Sequence, residues 1–497
     1  MDRYVLAIDQ GTTGTRVFLF DERGKPAASR YQELRQIFPR PGWVEHDAEE
    51  IWAATSSLIA RLLGEEHVSP AGVAAVGITN QRETCVVWDR ETGKPIHNAI
   101  VWQCRRTAEY CERLRSAGHE SCFRDRTGLL LDPYFSGTKI RWILDHVAGA
   151  RARAEAGELR CGTIDSWLIW KLTGGERHAT DFTNASRTLL FNIHTRGWDP
   201  ELCRIMEVPT ALLPEVNASA GLFGHTAAGV LPAGIPISGV AGDQQAALFG
   251  QGCVRPGLAK NTYGTGAFVL LNTGDEARTS GRGLLTTMAC NAEGGPAYAL
   301  EGAIFIAGAA LQWLRDGLEI LPDVSASAAI AESLQDNGGV YMVPAFVGLG
   351  APYWDPDARG ALLGLTRGTT RGQVIRAALE AMAYQTRDVL DTMSAESGVR
   401  LGNLRCDGGA TRNRFLMQFQ ADLLGVSVEI PENPETTAAG AAYLAGLGCG
   451  MWKAADLADL IRIAQRYEPT VSGEARDRQY AAWKEAVARV LTRRRGD

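Results

Sequence analysis

Short apolar runs alternate with helix-like patterns along the chain. Val5 to Ile8 and Val17 to Phe20 are apolar runs of strand length, separated by a turn rich in Gly and Thr. Asp47 to Leu63 carries apolar residues at helical spacing behind an Asp that can cap a helix. Val73 to Ile78 again has the pattern of a buried strand. Strands that alternate with helices predict an α/β fold.

The second half of the chain begins much as the first half does. Ala259 to Tyr263 predicts a strand, a Gly/Thr turn follows at 264–266, and Ala267 to Leu271 predicts the next strand. This weak repeat predicts two related domains that face a shared cleft. Gly and Pro interrupt the pattern between Phe249 and Pro256, so we expect the domains to span residues 1–250 and 251–497.

Composition narrows the functional classes. The chain has 497 residues and a net charge of −6, and its one basic run is the three arginines at 493–495, so we expect no nucleic-acid partner. Its most apolar window, at 302–314, is shorter than the roughly 20 residues of a membrane span, so we expect no stable membrane insertion. The ten cysteines contain no CxxC pair, which predicts reduced thiols and a cytoplasmic location.

Three segments combine residue types that occur in ligand-binding and catalytic sites. The first is the turn between the two opening strands. Asp9 ends the first strand, and Gly11, Thr12, Thr13 and Gly14 follow. Such a hairpin can offer backbone N–H groups and hydroxyls to a phosphate and place a carboxylate beside a metal ion. Considered alone, this segment is better explained as an ordinary Gly-rich hairpin turn.

The second and third segments carry charged residues at the ends of apolar runs. Arg82 and Glu83 suit a ligand with adjacent hydroxyls, and the alternative is a local hairpin with a surface ion pair. Asp243 follows the apolar stretch 235–241 at the start of a helix. It is either a helix N-cap or a general base that takes a hydroxyl proton during phosphoryl transfer.

Nucleotide motifs of the familiar kinds do not occur. The chain has neither a GxxxxGK[ST] nor a GxGxxG motif, so P-loop and Rossmann sites have no support. Instead, Asp407 is followed by two glycines, after which Asn413 precedes a helical pattern. Together with the Gly/Thr turns, this arrangement is similar to that of actin-like and hexokinase-like ATPases.

Five motifs, taken jointly, identify a family. They are DQGTTGTR at 9–16, NQRET at 80–84, GDQQ at 242–245, NTYGTG at 261–266 and DGGATRN at 407–413. In this order the chain resembles the FGGY carbohydrate kinases over essentially its whole length. The resemblance implies two actin-like, hexokinase-like (ribonuclease H-like) α/β domains with a cleft between them. It also implies ATP and Mg²⁺ as cofactors, glycerol as the substrate that is phosphorylated to glycerol 3-phosphate, and a homo-oligomer, either a dimer or a tetramer.

The same resemblance implies residue roles. Asp243 matches the general base and Asp9 matches the carboxylate near the metal. The positions that match those holding glycerol hydroxyls, and the aromatic walls beside them, are Arg82, Glu83, Tyr134, Asp243, Gln244, Trp102 and Phe268. The positions that match phosphate and ATP contacts are Thr12, Thr13, Arg16, Thr265, Gly308, Gln312, Gly409 and Asn413.

Two alternatives stay open at this point. Within the same enzyme class, the chain could phosphorylate another small polyol or a ketose. From a different class, an actin-like ATPase acting as a chaperone or filament would turn ATP over slowly, whether or not a polyol is present.

Overall fold

The computed structural model describes residues 3–492, so the three arginines at 493–495 lie outside the described residues. The strands of the first half are β1 (Tyr4–Gln10), β2 (Gly14–Phe20), β3 (Pro26–Glu33), β4 (Glu45–His46), β5 (Val73–Asn80), β6 (Cys85–Asp89), β7 (Ala99–Ile100), β8 (Leu159–Thr163), β9 (Ala179–Asp181), β10 (Phe191–Asn192), β11 (Gly197–Trp198), β12 (Glu215–Asn217), β13 (Ala220–His225) and β14 (Pro236–Gly242). Its helices are α1 (Ala48–Glu65), α2 (Ala108–Ser116), α3 (Glu120–Thr127), α4 (Ser136–His146), α5 (Ala150–Glu155), α6 (Ile164–Leu172), α7 (Phe182–Ala185), α8 (Pro200–Met206) and α9 (Asp243–Gly250).

The second half continues the alternation. Its strands are β15 (Leu258–Tyr263), β16 (Ala267–Gly274), β17 (Leu285–Cys290), β18 (Pro296–Ile304), β19 (Tyr341–Val343), β20 (Ala361–Leu363), β21 (Asn403–Gly408), β22 (Val428–Pro431) and β23 (Ile463–Tyr467). Its helices are α10 (Gly308–Asp316), α11 (Ser327–Glu332), α12 (Arg371–Ser397), α13 (Arg414–Leu424), α14 (Thr436–Gly448), α15 (Leu457–Leu460) and α16 (Gly473–Ala488).

The two largest sheets share one plan. In the first, β1, β2 and β3 are antiparallel neighbours, and β5 and then β14 add in parallel on the other side of β1. In the second, β15, β16 and β18 are antiparallel neighbours, and β21 and then β22 add in parallel beside β15. The predicted α/β class and the predicted internal repeat are therefore confirmed.

Local signals in the sequence identified several elements correctly. β1 and β2 form the predicted hairpin, with Val5 opposite Phe20 and Asp9 opposite Arg16. α1 begins directly after Asp47, whose side chain accepts hydrogen bonds from two backbone N–H groups of the first turn. Both features depend on residues close together in sequence, which is why the pattern alone could predict them.

The hairpin interpretation of residues 79–84 is wrong. β5 pairs with β1 and β14, whereas β6 pairs with β7 and β8 in a separate four-stranded sheet. The segment between them therefore passes from one sheet to another through the interior. Arg82 and Glu83 are only 3% and 1% exposed, so their charges lie in the core and not on the surface.

A helix from the second half packs on the first sheet. α14 contacts β14, β5 and β1, and it also crosses α9. The crossing is very close, because a Cβ built at Gly440 would lie 1.9 Å from the backbone oxygen of Ala246. A Cβ at Gly250 would lie 2.0 Å from the oxygen of Thr436. Only glycine allows the two helix backbones to approach this closely. Because α9 begins at Asp243, this packing also fixes the position of Asp243.

All ten cysteines are free, and eight of them are buried. Between residues 3 and 492 no helix is both long enough and apolar enough to cross a membrane.

We expect Gly440→Ala to lower the free energy of unfolding by about 1–3 kcal/mol, because the added methyl group would meet backbone that cannot move alone. The matched control is Gly64→Ala in α1, where an added Cβ meets no atom within 4 Å. Since alanine is a better helix former than glycine, this control should be neutral or stabilising. Thermal unfolding of the two variants checks the prediction, and equal melting temperatures would contradict it.

Candidate active site

The β1–β2 hairpin presents one carboxylate and one guanidinium on adjacent strands. The Gly11 N–H donates to the Gly14 oxygen at 2.9 Å and closes the turn. Burial and the negative charges of Asp243 and Glu435 together raise the pKa of Asp9 to about 7, although Arg16 opposes them. Arg16 itself pairs with Glu435 of the second half, with 2.9 Å between Nη1 and Oε1. An additional cation beside Asp9 would therefore be electrostatically favourable.

An aromatic wall stands next to this turn. The Trp102 indole N–H donates to the Thr12 hydroxyl at 2.8 Å. The Trp102 ring meets the Tyr134 ring edge to face, with 5.6 Å between centroids. Thr13 is exposed at the tip of the turn. The predicted phosphate turn and part of the predicted substrate pocket are thus directly connected.

A buried cluster of four charged side chains lies next to Tyr134. Glu301 on β18 accepts from Arg82 through both carboxylate oxygens, at 2.6 Å from Nη1 and 3.1 Å from Nη2. Arg187 donates from Nη2 to Glu301 at 3.1 Å and from Nε to Glu83 at 2.6 Å. Each side chain in the cluster is at most 3% exposed. Because Glu301 belongs to the second sheet, this cluster joins the two halves of the chain.

The electrostatics of the cluster follow from its geometry. Burial raises the pKa of Glu301, but Arg187 and Arg82 outweigh burial and lower it to about 2. Burial also raises the pKa of Glu83, and here Arg187 and Arg82 only partly compensate. Glu83 also has a φ of 63°, a left-handed conformation that costs a non-glycine residue of order 1–3 kcal/mol. Such local strain is typical of functional sites.

Asp243 lies at the exposed edge of this cluster. Its Oδ1 is 3.2 Å from Arg82 Nε, and its side chain is 34% exposed. Burial raises the pKa of Asp243, while the positive charge of Arg82 opposes the rise. The N-cap of α9 is Gly242, so Asp243 is the first helical residue and the N-cap interpretation is wrong. Its carboxylate is thus accessible to a ligand.

The remaining substrate positions lie near these groups. The Tyr134 hydroxyl is 3.5 Å from Arg82 Nη2. Gln244 follows Asp243 on α9, and its side-chain oxygen accepts a hydrogen bond from Lys260. Phe268 is half-buried on β16 against the hydrophobic cluster beneath α9.

The predicted nucleotide positions of the second half divide into two groups. The Thr265 oxygen accepts from the Ala307 N–H at 2.8 Å, and the Gly308 N–H donates to the Gly264 oxygen at 3.1 Å. Gln312 lies one turn further along α10 and is exposed. Gly409 is exposed in the turn after β21. Asn413 caps α13 by accepting from the Leu416 N–H at 2.9 Å, and it also donates to Ser327. Its amide is therefore already engaged in the fold.

Sequence reasoning missed three charged residues of this region. They are Arg187, Lys260 and Glu301, and all three are buried. The one available signal was a charge inside an apolar strand, as for Lys260 in 258–263 and Glu301 in 296–304. Nothing local identifies their partners, because Glu301 and Arg82 lie 219 positions apart.

Comparison with known proteins identifies the family. A model of the FGGY family of carbohydrate kinases, N-terminal domain, matches residues 4–250, and the model of its C-terminal domain matches residues 259–449. The chain belongs to the FGGY family of carbohydrate kinases. The family expected from the five motifs is thereby confirmed.

Similar proteins within the FGGY family match over nearly the whole chain. Glycerol kinase 2 of Thermotoga maritima is 56% identical over 490 residues, which cover 98% of this chain and 99% of that protein. A glycerol kinase of Xanthomonas axonopodis pv. citri is 58% identical over 491 residues, covering 98% of each. The crystal structure of Plasmodium falciparum glycerol kinase with ADP matches with a TM-score of 0.94 and 37% identity, and covers 99% of both chains.

Removing the central carboxylate should destabilise this FGGY protein. In Glu301→Gln two buried guanidinium groups lose a shared anion, so we expect a loss of about 3–5 kcal/mol in the free energy of unfolding at pH 7. The matched control is Glu332→Gln, since Glu332 also binds one guanidinium through both oxygens but its partner Arg414 is 73% exposed. That control should change stability little.

The pH dependence gives a second readout on the same pair of proteins. The pKa of Glu301 is lowered to about 2 in the folded protein, so Glu301 makes its full contribution to the free energy of unfolding above its ordinary pKa of 4.5. It is lost as the pH falls from 4.5 towards 2. Denaturant titrations should therefore give a constant difference between wild type and Glu301→Gln from pH 5 to 8. A variant as stable as wild type at pH 7 would contradict the assignment.

Proposed function

We propose that this protein transfers the γ-phosphoryl group of ATP to a terminal hydroxyl of glycerol. One observation carries the proposal: Asp243, an accessible carboxylate, is held 3.2 Å from Arg82 Nε at the mouth of a buried polar cluster. Phosphoryl transfer to a hydroxyl needs such a positioned carboxylate to accept the proton. The relatives named glycerol kinases, 56% and 58% identical, support glycerol as the acceptor.

Glycerol fits the chemistry of the residues around Asp243. It is a small molecule with a hydroxyl on each carbon. Its hydroxyls need several paired hydrogen bonds, and its carbon skeleton can pack against an apolar wall. Glu83 uses Oε1 for Arg187, which leaves Oε2 to accept from a hydroxyl. Arg82 and Tyr134 would bind the same hydroxyls, with Gln244 beside them. Trp102 and Phe268 would cover the carbon skeleton.

ATP would lie between the two Gly/Thr turns. In this proposal the turn of the first hairpin binds the phosphates through Thr12, Thr13 and Arg16. The positions that would contact ATP from the second half are Thr265, Gly308, Gln312, Gly409 and Asn413. Backbone N–H groups in such turns form anion-binding concavities, which supports the placement.

The residues present also fit a magnesium ion. Asp9 is a half-buried carboxylate whose pKa is raised by burial and by two other carboxylates, so a cation would offset unfavourable charge. Within residues 3–492 no group of three or more His, Cys, Asp and Glu side chains could hold a metal ion alone. Mg²⁺ is usually held by one or two carboxylates together with substrate phosphates, which matches Asp9. When bound, it would neutralise charge on those phosphates.

The reaction then depends on the proton at Asp243. Asp243 accepts it from the attacking hydroxyl while the oxygen approaches the γ-phosphorus in line. Burial raises the pKa of Asp243, which makes it a stronger base, while the positive charge of Arg82 opposes the rise. Closure of the two halves around the substrates would exclude water and limit ATP hydrolysis.

We propose domains at 1–250 and 251–497, which the family matches to 4–250 and 259–449 support. The dimer or tetramer stays a prediction from the family resemblance, and the cytoplasmic location stays a prediction from the cysteine pattern. Sedimentation of the purified protein would measure the assembly.

A coupled assay of ADP release tests the proposed function. We expect glycerol to stimulate ADP release strongly, while erythritol, ribitol and xylulose stimulate it much less. A higher kcat/KM for one of those compounds than for glycerol would favour the alternative of another polyol or ketose kinase. Slow ADP release that no polyol changes would instead favour the actin-like ATPase.

A substitution of the base tests the mechanism. We expect Asp243→Asn to retain ATP binding and to lose about 10²–10⁴ in kcat, the usual contribution of a general base. The control is Asp47→Asn, since Asp47 caps α1 and Asn is an equally good cap. Steady-state kinetics with glycerol would compare the two, and a near-normal kcat for Asp243→Asn would refute the role.

A further inference from the structure

Lys260 is a buried lysine with no role in the proposed mechanism. It lies on β15 of the second sheet beneath α9, and its side chain is 0% exposed. Its ammonium donates to the Gln244 side-chain oxygen and, at 2.9 Å, to the Thr262 hydroxyl. Both acceptors are uncharged, and Lys260 forms no ion pair with any described carboxylate.

A buried ammonium without a paired anion is expensive in a structure that needs only to pack. An apolar side chain of similar length would fill the same space without the cost of desolvating a charge. The ammonium group of Lys260 is thus better explained by the polar groups around it than by packing. Asp243 and Gln244 are adjacent at the start of α9, and Lys260 donates a hydrogen bond to Gln244.

The bond to Lys260 determines which way the Gln244 amide points. A lysine ammonium can only donate hydrogen bonds, so Gln244 must present its oxygen to it. That orientation leaves the Gln244 Nε2 group, with two N–H donors, for a substrate. Phosphoryl and hydroxyl oxygens are acceptors, so this orientation suits both reactants of the proposed transfer.

The charges around Lys260 come from four elements. Asp407 on β21, Glu301 on β18 and Asp243 on α9 attract the ammonium, and Arg82 from the β5–β6 segment repels it. Burial is the largest effect and lowers the pKa of Lys260 to about 8. In return, the ammonium helps to lower the pKa of Asp243.

We propose that Lys260 is a positioning residue for phosphoryl transfer, which orients Gln244 towards the substrate and keeps a positive charge beside Asp243. This inference rests on the proposed function. Since Lys260 acts through Gln244 and Asp243, its removal should affect kcat more than the KM for ATP.

The experiment compares Lys260→Met and Lys260→Arg with wild type in the glycerol-dependent assay. We expect Lys260→Met to lower kcat by about ten- to a hundredfold, the effect of losing a charge-assisted hydrogen bond, with the KM for ATP changed less than about threefold. Lys260→Arg retains a donor and a charge, so it should recover part of the lost kcat. The control is Lys171→Met, because Lys171 pairs with Glu49 away from Asp243; it should leave kcat unchanged.

The pH profile separates this role from a structural one. Loss of the ammonium raises the pKa of Asp243, so the acid limb of kcat/KM should move to higher pH in Lys260→Met. In wild type, activity should fall above about pH 8 as Lys260 loses its proton, and this fall should be absent in Lys260→Met. Lys260→Arg should keep the acid limb of wild type.

A second variant covers the case in which Lys260→Met does not fold. Gln244→Leu removes the oriented amide and leaves Lys260 in place with its bond to Thr262, so it should lower kcat by a similar factor; a normal kcat would overturn the inference. An unchanged pH profile in folded Lys260→Met would also overturn it, even if kcat fell. Wild type without glycerol-dependent turnover would overturn both the proposed function and this inference, whereas an active wild type with a normal Lys260→Met would overturn this inference alone.

Discussion

Two guanidinium groups of the first half share one buried carboxylate of the second half, and the candidate site depends on that arrangement. Glu301 binds Arg82 and Arg187 at 2.6 Å and 3.1 Å. Moving either guanidinium group away from Glu301 would leave a buried charge without its partner, which is strongly destabilising. Because Arg82 is fixed, the neighbouring Asp243 is fixed with it. Glu83 is held in the same way by Arg187.

Backbone packing reinforces the same geometry. α14 of the second half rests on the first sheet and crosses α9 at Gly440, so the start of α9 cannot shift independently of the second half. Asp243 and Gln244 stand at that start. The positive φ of Glu83 shows that the backbone is also constrained on the other side of the cluster. Charge pairing and close helix packing therefore act on one small group of side chains.

The sequence predicted what is local and missed what is distant. The β1–β2 hairpin and the start of α1 at Asp47 depend on neighbours in sequence, so spacing and capping rules were sufficient. The alternative of a surface ion pair at Arg82 and Glu83 was wrong, because the flanking strands belong to different sheets. Glu301 could not be foreseen as the partner of Arg82, since no short-range pattern links residues so far apart. Family resemblance supplied roles, but not the network that holds them.

A crystal structure with glycerol and a non-hydrolysable ATP analogue would show which group meets the reacting hydroxyl. We expect a terminal glycerol hydroxyl within hydrogen-bonding distance of the Asp243 carboxylate, with the other hydroxyls on Arg82 and Glu83. We also expect Arg82 to keep its two bonds to Glu301 when glycerol binds. Glycerol bound elsewhere, or an Asp243 carboxylate that does not contact glycerol, would contradict the proposed role of Asp243.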